Sequence, residues 1–141
     1  MKNFILFVTF LFPVIILGRF SDARIIRDDP FLSAPPQITV SVASLSPFLS
    51  CIQTTSNSQN FTVSGSFLTA GITISTTAGF EISHDNINFG NIFSFTEVSG
   101  NVPSSTVYVR MAPTTSPISG IITITSTGAV SKTVTILGAV D

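Results

Sequence analysis

The sequence predicts an all-β fold, a Greek-key sandwich of seven or eight short strands, and three observations predict it. From Gln37 onward apolar residues alternate with Ser and Thr in runs of four to eight. Gly, Pro, Asn and Asp clusters separate those runs at short intervals. No segment beyond the N-terminus carries helical periodicity, so strands joined by turns are the reading that fits.

In chain order, Ile38, Val40 and Val42 share one face of a first strand while Thr39 and Ser41 take the other. Leu45 to Phe48, with Pro47, reads as a break or a sheet switch. Phe61, Val63 and, past Gly65, Phe67 mark the second strand, after the polar loop Thr54 to Asn60. Ile72 and Ile74 mark a third, Phe80 and Ile82 a fourth, Phe93 and Phe95 a fifth. Val107, Val109 and Met111 alternate with Tyr108 and Arg110 in a sixth, followed by Ile122 with Ile124 and by Val134 with Ile136. The expected core is Ile38, Val40, Phe61, Val63, Ile74, Phe80, Ile82, Val107, Val109, Ile122, Ile124, Val134 and Ile136.

Residues 1–23 read as a secretory signal. Lys2 supplies a basic start, and Phe4 to Leu17 is a mostly apolar run of 14 residues, short for a membrane span and interrupted by Pro13. Ser21-Asp22-Ala23 places small residues where a signal peptidase cuts. The mature chain is therefore expected to begin at Arg24 and to be secreted, with no membrane insertion after cleavage. An uncleaved N-terminal anchor is the alternative. No Cys closes the apolar run, which argues against a lipid anchor.

Taking 23 residues from 141 leaves 118, enough for one core and too few for two domains. Residues 24–36, RIIRDDPFLSAPP, differ in kind from the Ser/Thr-rich remainder: Pro30, Pro35 and Pro36 oppose helix, so the segment reads as an extended arm before a sandwich at 37–141. Ile25, Ile26, Phe31 and Leu32 make the arm more apolar than a solvated leader needs.

From Gln37 to Asp141 the only basic residues are Arg110 and Lys132, against Glu81, Asp85, Glu97 and Asp141, a formal charge of 2 − 4 = −2. Such a surface cannot neutralise phosphates, which excludes nucleic acid as a partner class. Ser and Thr supply 35 of these 105 residues, so the sheets meet water with hydroxyls rather than charges.

The stretches FTVSGSFLTAGITISTTAGFEIS (Phe61 to Ser83) and TVYVRMAPTTSPISGIITITSTG (Thr106 to Gly128) carry distinctive wording in GFEIS and TVYVRMAP. This wording resembles the immunoglobulin-like repeat of secreted and surface proteins of Bacteroidota, across about Gln37 to Val140. The resemblance implies an immunoglobulin-like sandwich with a structural or binding role. Repeats of that family usually come in tandem, whereas one copy is present here, so an isolated module would work through assembly or a single surface.

Candidate chemistry is sparse. Cys51 and His84 are the one nucleophile and base pair available, with Asp85 or Glu97 as the third group, and nothing in their spacing joins them. As the single cysteine, Cys51 cannot close an internal disulfide, and it reads as a small buried hydrophobe or a free thiol in a loop. His84 to Asn91, HDNINFGN, crowds oxygen and nitrogen ligands. Ile87 stands where a calcium loop needs oxygen, however, and a turn built on Asp85, Asn86 and Gly90 explains the same residues. Asn60-Phe61-Thr62 fits a glycosylation sequon that arises by chance in a Thr-rich chain. Tyr108 and Arg110 leave one strand on the same face and form a candidate surface contact.

The reading is a non-enzyme, without cofactor or metal, that acts as an extracellular structural or adhesive module. It would assemble with copies of itself, as an oligomer or filament, through the arm residues Ile25, Ile26, Phe31 and Leu32. The alternative is a monomeric module binding a carbohydrate or another extracellular protein. Sugar platforms lean on exposed aromatic rings, and with no Trp only Tyr108 is at hand.

Overall fold

The computed structural model describes residues 34–113 and 118–141. Residues 1–23, expected to be a signal, and the expected arm residues Ile25, Ile26, Phe31 and Leu32 lie outside the described residues. Nine strands form among those described: β1 (Gln37–Val40), β2 (Phe48–Ser50), β3 (Gln59–Ser66), β4 (Ile72–Thr76), β5 (Phe80–Ser83), β6 (Ile92–Phe95), β7 (Val102–Met111), β8 (Ile118–Thr125) and β9 (Lys132–Val140). No described helix is long and apolar enough to cross a membrane.

Two sheets stack face to face. One has the order β1-β3-β7-β5 and the other β2-β9-β8-β4-β6. Every pairing is antiparallel except β2 with β9. The chain changes sheets between β3 and β4 and again between β7 and β8, while β3 lies beside β7 and β4 beside β8. That interlock is the Greek-key sandwich the sequence predicts. The first sheet matches the A-B-E-D order of an immunoglobulin constant domain, and β9-β8-β4 matches G-F-C. Two strands are extra: β2, at the edge beside β9, and β6, which follows the D-like β5 in sequence yet returns to the second sheet beside β4.

Period-two patterning builds the core. Val107, Val109 and Met111 of β7 point inward with Phe61 and Val63 of β3, and face Ile72 and Ile74, Ile122 and Ile124, and Val134 and Ile136 of the second sheet. Every expected core residue is buried except Val40, which is half-buried and packs against the others. Phe48, Leu68, Ile72, Val102 and Met111 join them. Phe48 sets its ring against Phe80 at 5.8 Å and 60°, closing one end of the sandwich. Gly138 serves that same end, because a β-carbon there would collide with the Met111 sulfur.

Three strand assignments change. The break at Leu45 to Phe48 is a sheet switch that continues as β2, making a ninth strand: after Val40 the chain leaves β3 and joins β9. Thr135 N donates to Ala43 O (2.9 Å) and Leu45 N to Thr135 O (3.1 Å), which fixes the crossing. Val42 lies within it and is exposed rather than sharing the buried face of β1. Phe67, expected to continue the inward face of β3, is 53% exposed. Its φ of 55° turns the chain by one residue, so Leu68 takes the buried place.

Candidate functional site

The residues with reactive side chains are held apart. Cys51 is a free, exposed thiol in the turn after β2, where its carbonyl accepts from Thr54 N (3.1 Å) and Thr54 Oγ1 (2.7 Å). His84 sets its ring edge-on to Phe93 of β6 at 5.9 Å. Since β2 and β6 are opposite edges of a five-stranded sheet, the two groups lie about four strand spacings of roughly 4.8 Å apart. No nucleophile and base pair forms there. No group of three or more His, Cys, Asp or Glu residues gathers among the described residues.

The segment after β5 is a self-satisfied loop. Asp85 Oδ1 accepts from Ser83 Oγ (2.7 Å), Ile87 N (2.9 Å) and Asn88 N (2.8 Å), while Oδ2 accepts from Asn88 Nδ2 (2.7 Å). Asn86 takes a φ of 60°, which Asn tolerates. The loop begins as a hairpin, with Ile82 and Gly90 exchanging main-chain bonds of 2.8 and 2.9 Å, and then crosses to the other sheet as β6. The carboxylate oxygens are thus committed to donors of their own loop.

Those donors, the Asn88 main-chain N–H first, then the Asn88 amide, the Ser83 hydroxyl and the Ile87 N–H, hold the Asp85 carboxyl well below the usual carboxylate range. A pKa lowered in the folded state stabilises the loop at any pH above the ordinary carboxylate value of about 4. That contribution is lost only as pH falls further, towards the lowered value. Amide exchange at Ile87, Asn88 and Gly90 is therefore expected to show the same protection at pH 7 and pH 5. Asp85→Ala should speed exchange at those amides while leaving cooperative unfolding of the sandwich in place. Unchanged exchange in the variant would refute this role for the carboxylate.

Tyr108 and Arg110 leave β7 on the outer face of the first sheet, as their alternation with buried Val107, Val109 and Met111 requires. Arg110 is engaged within the chain. Register sets it beside Glu81, whose Oε2 accepts from Nη2 (2.7 Å) and Nε (2.8 Å). Its guanidinium also lies 3.9 Å from the ring centroid of Phe89, folded back from the loop. With both side chains about 30% exposed, the pair contributes on the order of 1 kcal/mol or less. Sequence reasoning placed Tyr108 and Arg110 together but missed Glu81 and Phe89, which come from 29 and 21 residues earlier in the chain.

The remaining feature is the state of the sheet edges. Of the four edge strands, β1 (QITV), β2 (FLS) and β6 (IFSF) carry no charged residue, and β5 (FEIS) carries Glu81 alone. Charge, proline or cover normally blunts such edges. The edge of β5 is met by Gly90, and Gln59 Nε2 reaches Ser46 O (2.8 Å) in the segment entering β2. The outer edges of β1 and β6 have no strand beside them among the described residues. Between β1 and β9 runs a groove of about 350 Å³ floored by Ile38 and Val40. A larger recess of about 570 Å³ on the outer face of the second sheet is lined chiefly by hydroxyls, among them Thr73, Ser94, Thr96 and Thr125.

No family model matches the chain, and no curated protein is similar to it. Among solved structures, a conjugative transposon lipoprotein from Bacteroides eggerthii is similar at a TM-score of 0.42 and 14% identity, covering 75% of this chain and 98% of its own. The CooA pilin subunit from enterotoxigenic Escherichia coli is similar at 0.38 and 13%, covering 76% and 99%. Both likenesses are distant, and no activity is carried from either protein to this chain.

Proposed function

We propose that this protein is a non-catalytic extracellular module of structural or adhesive type, related to the immunoglobulin-like repeats of secreted Bacteroidota proteins, and that it assembles by strand addition. The observation that carries the reading is the uncharged outer edge of β1, which has no strand beside it among the described residues and is bordered by an apolar groove. An extended segment entering such a site gains main-chain hydrogen bonds along the edge, and its alternate side chains fill the gap between sheets. The arm at 24–32 supplies a segment of that chemistry in Ile25, Ile26, Phe31 and Leu32. Donation from one copy to the next is a head-to-tail contact, and such contacts propagate as filaments.

Monomeric binding through Tyr108 and Arg110 has less behind it, because Arg110 is already engaged by Glu81 and Phe89. Sedimentation of the chain from Arg24 against the chain from Pro35 tests the proposal. The longer form should associate with rising concentration, and the shorter should remain a folded monomer. Two monomers at every concentration would remove the arm from the account.

A further inference from the structure

We infer that the acceptor for the arm is the groove between β1 and β9, and that its occupant is residues 24–32 of a second copy. This rests on the strand-addition reading above. Two edges open into this groove. Ser41 N donates to Thr62 O (3.0 Å), so alternation along the antiparallel pair turns the main-chain groups of Ile38 and Val40 away from β3. On the other wall, Thr135 uses its outward N–H and C=O on Ala43 and Leu45. The same alternation points the groups of Thr133 outward, where the crossing segment has already left for β1. An extended peptide here meets donors and acceptors on one or both sides.

The floor is apolar. Ile38, Val40, Val42 and Ala43 line the groove with Lys132 and Thr133. It continues into a second recess of about 300 Å³ against Pro35, Pro36 and Val130. The edge of β6 is equally uncharged, but the recess beside it is lined chiefly by hydroxyls.

Charge selects the occupant. Of the two cations among the described residues, Arg110 is paired with Glu81, and Lys132 at the groove has no ion pair. The arm places Asp28 and Asp29 between two apolar pairs, Ile25-Ile26 and Phe31-Leu32, so a segment lying in the groove brings carboxylates to a cation. Nine extended residues span about 30 Å, more than the four-residue β1 requires. Ala34 and Pro35 each precede a proline, which disfavours the helical conformation a tight reversal uses at those positions. A segment ahead of them therefore reaches a second copy's groove more readily than its own.

The test is hydrogen exchange on the chain from Pro35, whose buried core runs from Ile38 to Ile136, with and without a synthetic peptide of residues 24–34. The peptide should slow exchange of the Ile38, Val40 and Thr133 amides at least tenfold. Lys132→Glu should weaken peptide binding about fivefold, and a peptide carrying Asp28→Lys and Asp29→Lys should recover it. Protection appearing at Ile92 to Phe95 instead would overturn the groove while leaving arm-driven assembly standing. No protection anywhere would overturn the groove if the chain from Arg24 associates while the chain from Pro35 stays monomeric, and would overturn both if the two chains behave alike. Protection of the groove amides in a chain from Arg24 that stays monomeric would show its own arm in place and overturn the second copy.

Discussion

Val109→Asp is expected to leave no folded protein. Val109 is fully buried at the centre of the first sheet, on a strand held by β3 on one side and β5 on the other. The inward faces around it, from Phe61, Ile82 and the second sheet, are apolar. A carboxylate there has no cation to pair with, since Arg110 points to the opposite face and is already engaged. The cost is several kcal/mol against a total stability of about 5 to 15 kcal/mol. Val109→Ala, which only trims the side chain, should lose about 2 kcal/mol and still unfold cooperatively in denaturant. A soluble Val109→Asp protein with a cooperative transition would contradict the placement of this strand.

Gly71→Ala should destabilise the sandwich by about 1 to 3 kcal/mol and loosen β6. A β-carbon at Gly71 would strike the carbonyl oxygen of Phe95, and that atom is main chain, unable to turn aside as a side chain would. The strain falls on the pairing of Ile72 with Phe95, at the last residue of an edge strand. Gly90 is the control, because a β-carbon there meets nothing within 4 Å and its φ is not positive. Gly90→Ala should change stability by no more than about 0.5 kcal/mol. Equal denaturation midpoints for the two variants would remove the steric argument, and faster amide exchange confined to β6 in Gly71→Ala would support it.

Much of this fold is legible in the sequence because period-two patterning is a local property. Val107, Val109 and Met111 announce a strand by themselves, and the same holds for Ile122 with Ile124 and for Val134 with Ile136. What local pattern cannot convey is pairing. The short strand Phe48–Ser50 gains its identity from β9, at the far end of the chain, and Pro47 hides it. Phe67 breaks the period through a positive φ unusual for an aromatic residue, and nothing in FTVSGSFL signals it. At the candidate site, the alternation of β7 puts Tyr108 and Arg110 together, yet the engagement of Arg110 depends on the register of β5. The groove is hidden for the same reason. Ile38 and Lys132 become neighbours only because the chain leaves one sheet at Ser41 and enters the other at Ala43.

We propose that this small sandwich joins copies of itself by adding an N-terminal arm to an open sheet edge. Electron microscopy of the chain from Arg24 tests it most directly. The expected result is filaments with one sandwich per repeat and a strand of density in the groove between β1 and β9. Dispersed single sandwiches at concentrations where the protein is abundant, or filaments in which that groove is empty, would contradict it.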